Sequence, residues 1–300
     1  MTTLQPEAKC TECKSNPHLR PYNSWLNLDT VKYDKVVTKL IEFFKSKGFK
    51  HVYAENRYSI LSACEDPFNI SVENYLGLKW PKHQTGQMWL EWELLNFPER
   101  APGYFCITNS YRLEPNPVPG RHYPSFPLFE FEMLGDMEAL IDLELELLEY
   151  LGYDPSKFIR GKYDDVAKSY GVHELEHEHE ERLYKERSPT FLLTDFPEHT
   201  DPFWNMKRSS DGTSKKVDVI LSGQETIGSA QRESDPEVML DRFKNICEGA
   251  YADKLLSEFD AERIMDIEMK DYLDLPFVTR SGGGIGVTRL IQSMEKEGLL

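Results

Sequence analysis

Tyr111-Arg112-Leu113-Glu114, answered near the other end of the chain by Gly282-Gly283-Gly284-Ile285-Gly286-Val287-Thr288-Arg289, decides how this sequence is read. The first stretch puts an arginine and a carboxylate on one element. The second puts another arginine just inside a helix that opens on glycines. Guanidinium groups fork onto phosphate oxygens and keep their charge at any working pH, so two of them suit a polyphosphate. Glycines let backbone approach a ligand where a side chain would collide. A lone glycine run usually marks only a turn or a tight contact, but Arg-x-Glu followed much later by GxGxGxxR is far less common.

Three further stretches lie between these two or just before them. Thr85-Gly86-Gln87-Met88-Trp89-Leu90-Glu91 comes first, and Arg121-His122-Tyr123-Pro124-Ser125-Phe126, with Glu130 and Glu132 after it, comes second. Gln224-Glu225-Thr226-Ile227-Gly228-Ser229-Ala230-Gln231-Arg232 is the third. In this order the five stretches resemble motifs 2 and 3 and their neighbours in the class II aminoacyl-tRNA synthetases of the Asp/Asn/Lys subgroup, most of all the asparaginyl enzymes. The resemblance runs from about Asp29 to the C-terminus. It implies a mixed α+β fold, an antiparallel sheet flanked by helices, with residues 29–300 as the catalytic domain.

Local patterns agree. Val36, Val37, Leu40, Ile41, Phe43 and Phe44 repeat at helical spacing and Gly48 follows as a stop, so a helix and then a strand over 49–53 are expected. The resemblance makes this pair motif 1, the family's usual homodimer interface, with Ala54-Glu55 where the family has a proline. Strands are expected at 103–111, 126–131, 191–195 and 216–221, with Pro115, Pro117, Pro119 and Gly120 forming a stiff loop after the first. Helices are expected at 136–151, 162–188 and 236–259. Leu140, Leu143, Leu147, Leu148 and Leu151 stripe the first of these, and its acids, Glu144 among them, read as a solvated face.

Composition bounds the partners. The net charge of −16, from 51 acidic and 35 basic residues, argues against a broad nucleic-acid surface. No apolar run reaches membrane-span length, and five scattered cysteines suit a reducing cytoplasm. Residues 1–28 read as a polar leader; its Cys10-x-x-Cys13 with His18 is short of a zinc ligand set. His173, Glu176, His177, His179 and Glu180 invite a metal reading because His173 and His177 would share a helix face. The same stretch resembles a charged segment of the asparaginyl enzymes, and a solvated face is expected.

The resemblance implies roles. Arg112 would meet the α-phosphate and the substrate carboxylate, and Arg289 the γ-phosphate end, the two being the catalytic cations. Glu114, Arg121, His122, Phe126, Gly284 and Gly286 would complete an ATP site. Asp218 and Glu225 would hold Mg²⁺. Gln87, Glu91 and Arg232 would bind the amino acid, Arg232 disfavouring lysine and Glu91 favouring an asparagine-type amide over aspartate. Ser125 and Gly228 depart from the family's Glu and Ser.

The expected activity is ATP-dependent adenylation of a carboxylate of aspartate or asparagine, releasing pyrophosphate. Thirty-odd residues before motif 1 cannot supply the five strands of an anticodon-binding barrel, which disfavours tRNA. Ammonia as acceptor, giving asparagine, is the first expectation, since the glycine run also resembles that of ammonia-dependent asparagine synthetase. A compact tRNA-charging enzyme and a catalytically silent ATP-binding paralogue are the alternatives.

Overall fold

The computed structural model describes residues 28–54, 59, 67–114, 117–118 and 121–300. Cys10, Cys13, His18, Glu55, Pro115, Pro119 and Gly120 therefore lie outside the described residues.

Helix α1 (Thr30–Ser46) starts where the Asp29 carboxylate accepts from the amides of Val31 and Lys32. Its buried stripe is Val36, Val37, Leu40, Phe43 and Phe44, five of the positions that recur at helical spacing. The strand after it, β1 (Lys50–His51), is shorter than expected and runs parallel to β4 (Gly103–Tyr111). A small hairpin, β2 (Val72–Tyr75) with β3 (Leu78–Pro81), precedes α2 (Gln87–Asn96). Strand β4 then pairs antiparallel with β5 (Ser125–Leu134). Helix α3 (Met137–Leu151) follows, with Asp136 as its N-cap.

The expected helix over 162–188 is two helices behind a strand: β6 (Phe158–Lys162), α4 (Tyr163–Tyr170) and α5 (His177–Glu186). Gly171, at φ +73°, ends α4 in the left-handed region that glycine takes without strain. His173 consequently lies in the connection, stacked on His199 with ring centres 4.0 Å apart, and does not share a helix face with His177. Strands β7 (Thr190–Phe196), β8 (Ser214–Leu221) and β9 (Gln224–Gln231) come next. The helix expected over 236–259 is also divided, into α6 (Pro236–Asn245) and α7 (Ala250–Glu258), because Cys247, Glu248 and Gly249 all have positive φ. After α8 (Met269–Leu273), the glycine run forms β10 (Arg280–Gly286), and α9 (Val287–Lys296) follows at once.

The large sheet has the order β1-β4-β5-β10-β9-β8-β7-β6. Its six inner strands are antiparallel, and only the edge strands β1 and β6 pair in parallel. Side chains alternate across the sheet, so the two faces differ in chemistry. One face packs Phe105, Phe129, Phe131, Val217, Val219, Ile227 and Ile285 against α1, α3 and α9 in the main core. The opposite face is polar, and there Cys106, Glu130, Gly284, Gly228 and Asp218 lie in register across five strands. A second core, around Phe203, Trp204, Phe243 and Tyr251, walls off this face at one end.

Glu144 departs from the expected solvated face of α3: it is fully buried, and neither of its carboxyl oxygens has a hydrogen-bond partner. Burial pushes its carboxyl up to about 8. Among the described residues no helix is long and apolar enough to cross a membrane.

Candidate active site

Two cavities lie on the polar face of the sheet. The first, 290 Å³, is walled by Arg112, Glu114, Arg121, His122, Phe126, Gly284, Gly286 and Arg289, so every residue expected to bind nucleotide lines one hollow. The second, 300 Å³, is lined by Gln87 and Arg232 together with Glu130, Glu132 and Lys216. Arg112, Glu225, Gly228 and Gly284 belong to both walls. The cavities thus meet at a guanidinium above two glycines.

Glycine keeps the floor at that junction low. A Cβ on Gly228 would come within 3.0 Å of Glu225 Oε1, whereas one on Gly284 would make only ordinary contact with Leu128 at 3.4 Å while taking space from the first cavity. Gly283 is different: its Cβ would lie 2.4 Å from that of Ser229, a packing constraint that leaves no room for a side chain.

The cations of the first cavity are held in place by its walls. Arg289 donates to the backbone carbonyl of Glu225 at 2.7 Å, while its Nη1 lies 3.7 Å from Glu225 Oε2. Arg121 donates to Glu180 Oε1 at 2.7 Å, and Glu180 Oε2 accepts from the Glu225 amide at 2.7 Å. One carboxylate on α5 thereby joins the loop before β5 to the start of β9. Arg112 Nε lies 3.3 Å from the Ser110 hydroxyl, with its guanidinium 5.7 Å from the centre of the Phe126 ring. Burial, reinforced by Arg289 and Arg121, lowers the pKa of His122 although Glu114 opposes the shift. This favours a neutral imidazole toward a phosphate.

Glu130, buried in the second cavity, accepts from the Gly86 amide at 2.8 Å and from Thr108 Oγ1 at 2.7 Å, and also from Thr85 Oγ1. It fixes the turn that starts α2, and with it Gln87. Arg232 meets Glu132 through Nε at 3.0 Å and Nη2 at 2.5 Å, both onto Oε1. Glu132 Oε2 is left buried with no partner. Burial raises the Glu132 carboxyl despite Arg232.

Glu91 is placed differently from the expectation that it meets the substrate side chain. It is fully buried behind the second cavity and is not among the lining residues. Oε1 accepts from Gln87 Nε2 at 2.8 Å and Asn205 Nδ2 at 2.9 Å; Oε2 accepts from Tyr272 at 2.8 Å and Arg280 Nε at 2.8 Å. Burial alone would raise its pKa, but Arg280, Arg232, Gln87 and Tyr272 together hold it below the usual range. Its link to the cavity is Gln87.

Sequence reasoning therefore missed Asn205, Tyr272, Arg280 and Lys216, and it named Glu180 and Glu132 without the pairing roles they have here. Only Glu130 and Glu132 carried a local signal, as acids alternating with Phe129 and Phe131 in an otherwise apolar strand.

Asp218 and Glu225 come together as expected. Asp218 Oδ1 is buried without a partner, and it and Glu225 Oε1 flank the space above Gly228 at 3.8 and 3.0 Å from where a Cβ would be. Asp218 lines neither cavity; it meets Glu225 in a separate 60 Å³ hollow behind them, while Glu225 also lines both cavities. The two hard oxygens thus fit part of a Mg²⁺ shell at the inner edge of the first cavity. Asp218 Oδ2, however, accepts from the Lys216 ammonium at 2.8 Å, and no group of three or more His, Cys, Asp or Glu among the described residues is arranged to hold a metal ion.

Comparison with known proteins agrees with this architecture. The family model for class II tRNA synthetases (D, K and N) matches residues 29–298. Asparaginyl-tRNA synthetase from Pyrococcus horikoshii, complexed with asparaginyl-adenylate, is similar at 22% identity and a TM-score of 0.72, over 89% of this chain and 64% of that one. The Entamoeba histolytica asparaginyl-tRNA synthetase in complex with asparaginyl-adenylate is similar at 15% identity and a TM-score of 0.69, over 89% and 63%. A putative aspartyl-tRNA synthetase from Leishmania major Friedlin is similar at 16% identity and a TM-score of 0.67, over 88% and 61%. The chain thus spans less than two thirds of the length of these relatives. With the sheet, the five motifs and the family match all in one register, this chain belongs to the class II tRNA synthetases of the D, K and N group.

Proposed function

We propose that this chain activates a carboxylate of asparagine or aspartate with ATP, forming an acyl-adenylate and releasing pyrophosphate. The observation that carries the reading is the shared wall of the two cavities at Arg112. A nucleotide in the first and an amino acid in the second would bring a carboxylate oxygen and the α-phosphorus together beside that guanidinium. The carboxylate oxygen attacks phosphorus, the bond to the β-phosphate oxygen breaks, and pyrophosphate leaves toward Arg289.

Such a displacement gains most from fixed positive charge around the phosphoryl oxygens. Arg112 supplies it at the reacting phosphorus and Arg289 at the leaving end, each already oriented by protein oxygens. Mg²⁺, where bound, would sit at Asp218 and Glu225 and draw charge from the phosphates. Arg232 and the unpartnered oxygen of Glu132 offer a donor fork and an acceptor to the substrate side chain. That combination matches a carboxamide, so this subsite favours asparagine, bound either as product or as substrate.

Ammonia is our proposed acceptor: it attacks the carbonyl of a β-aspartyl adenylate and displaces AMP to give asparagine. The alternative is activation of the α-carboxylate with transfer to tRNA. The acidic balance of the chain, −16, favours the small acceptor over a polyanion. Incubation with ATP, aspartate and ammonium, and in parallel with asparagine and tRNA, separates them. Free asparagine in the first supports the proposal, and charged tRNA in the second overturns it.

A further inference from the structure

The proposed reaction leaves Lys216 unused. It stands on β8 two residues from Asp218, on the same face of the sheet, and lines the amino-acid cavity. Its ammonium donates to Asp218 Oδ2 at 2.8 Å and lies 4.1 Å from the centre of the Phe196 ring. An ion pair on one side and an aromatic face on the other hold this cation in place. Only 24% of its side chain is exposed, so it is not a lysine swinging in solvent.

The pair it serves, Asp218 and Glu225, faces the space above Gly228. Of the four carboxylate oxygens, Asp218 Oδ2 accepts from the ammonium, Glu225 Oε2 lies 3.7 Å from Arg289 Nη1, and Asp218 Oδ1 is buried without a partner. A divalent ion settling on that free oxygen would find a fixed positive charge on the other oxygen of the same carboxylate. At such separations in a partly buried site, like charges repel strongly. The donor set is thus only half a divalent site, with part of the charge already supplied.

We propose that Lys216 is the resident cation of the Asp218–Glu225 pair, supplying part of the charge a divalent ion would bring and weakening divalent binding to the free protein. This rests on the proposed function only in taking these two carboxylates as the ion-binding acids of the nucleotide site. It is independent of which acceptor the enzyme uses. A chain built this way takes up its divalent ion chiefly together with the nucleotide, whose phosphates add the missing negative charge.

The test is a titration of the full chain with Mn²⁺ in the absence of nucleotide, following the free ion by electron paramagnetic resonance. The wild type should bind weakly, Lys216→Met at least tenfold more tightly, and Lys216→Arg as weakly as the wild type. Adding Asp218→Asn to Lys216→Met should abolish the gain. The proposal is overturned if Lys216→Met binds no more tightly, or if the gain survives Asp218→Asn. Circular dichroism checks folding, and Lys216→Gln stands in for a Met variant that misfolds, with the same expectation. ATP binding measured alongside with excess Mg²⁺ judges the nucleotide reading separately: its failure would count against adenylation and leave the Mn²⁺ comparison intact.

Discussion

Arg280 and Glu91, 189 positions apart, form an ion pair in which both side chains are fully buried, Arg280 Nη2 lying 2.6 Å from Glu91 Oε2. The pair joins α2, which presents Gln87 to the second cavity, to the strand that carries the glycine run. Arg280 also donates to the Glu233 carbonyl at 2.9 Å, next to Arg232. Three segments around the second cavity are therefore tied to one buried carboxylate.

Glu91→Gln is expected to act first on stability. It leaves the Arg280 guanidinium buried without its counter-charge, a loss of about 3–5 kcal/mol for pairs of this kind. Thermal melting should show a large drop in Tm. Discrimination between asparagine and aspartate should shift little at temperatures where the variant stays folded. A variant that melts like the wild type but changes selectivity would mean that Glu91 reaches the substrate directly.

Glu144 gives the pH signature. Its folded-state pKa is raised from 4.5 to about 8 by burial. The folded chain therefore holds a proton that the unfolded chain releases, and stability falls as pH rises from about 4.5 to about 8, then levels off. At pH 7 the penalty is on the order of 3 kcal/mol. Glu144→Met keeps the volume among the leucines of α3 and removes the charge. Denaturant unfolding between pH 5 and pH 8 should show the variant gaining over the wild type as pH rises. A constant difference across that range would contradict the buried, proton-holding carboxyl.

Arg121 is held by Glu180, and that contact should show in nucleotide affinity. Glu180→Gln keeps the shape and one acceptor but removes the charge, and charge-assisted hydrogen bonds are worth about 1.5–3 kcal/mol. KM for ATP should rise by roughly tenfold or more, with a smaller change in KM for the amino acid. Equal rises in both would place Glu180 outside the nucleotide loop.

Much of this could be read from the sequence, because the nucleotide wall comes from segments whose local pattern is strong. Arg112 and Glu114 directly follow one strand, Phe126 lies at the start of its partner, and the glycines lead straight into the helix of Arg289. What could not be read are the partners. Glu91 looked like a substrate ligand because α2 was read alone. Only the fold brings Asn205, Tyr272 and Arg280 around it, and none of these carries a local signal. Glu144 was read with the exposed acids around it, although it stands four residues from both Leu140 and Leu148 and so falls on the buried leucine stripe itself. The two divided helices were missed for local reasons, since Gly171 and the positive-φ run at 247–249 interrupt charged stretches whose helical periodicity continues on either side.

Adenylation at Arg112 is the central claim, and exchange of labelled pyrophosphate into ATP tests it most directly. With asparagine or aspartate present the wild type should exchange label, and Arg112→Ala should lose it by about a hundredfold or more, the usual cost of removing a charge aimed at the transition state. Lysine should not support exchange. Exchange with no amino acid at all, or exchange that Arg112→Ala leaves intact, would contradict the account.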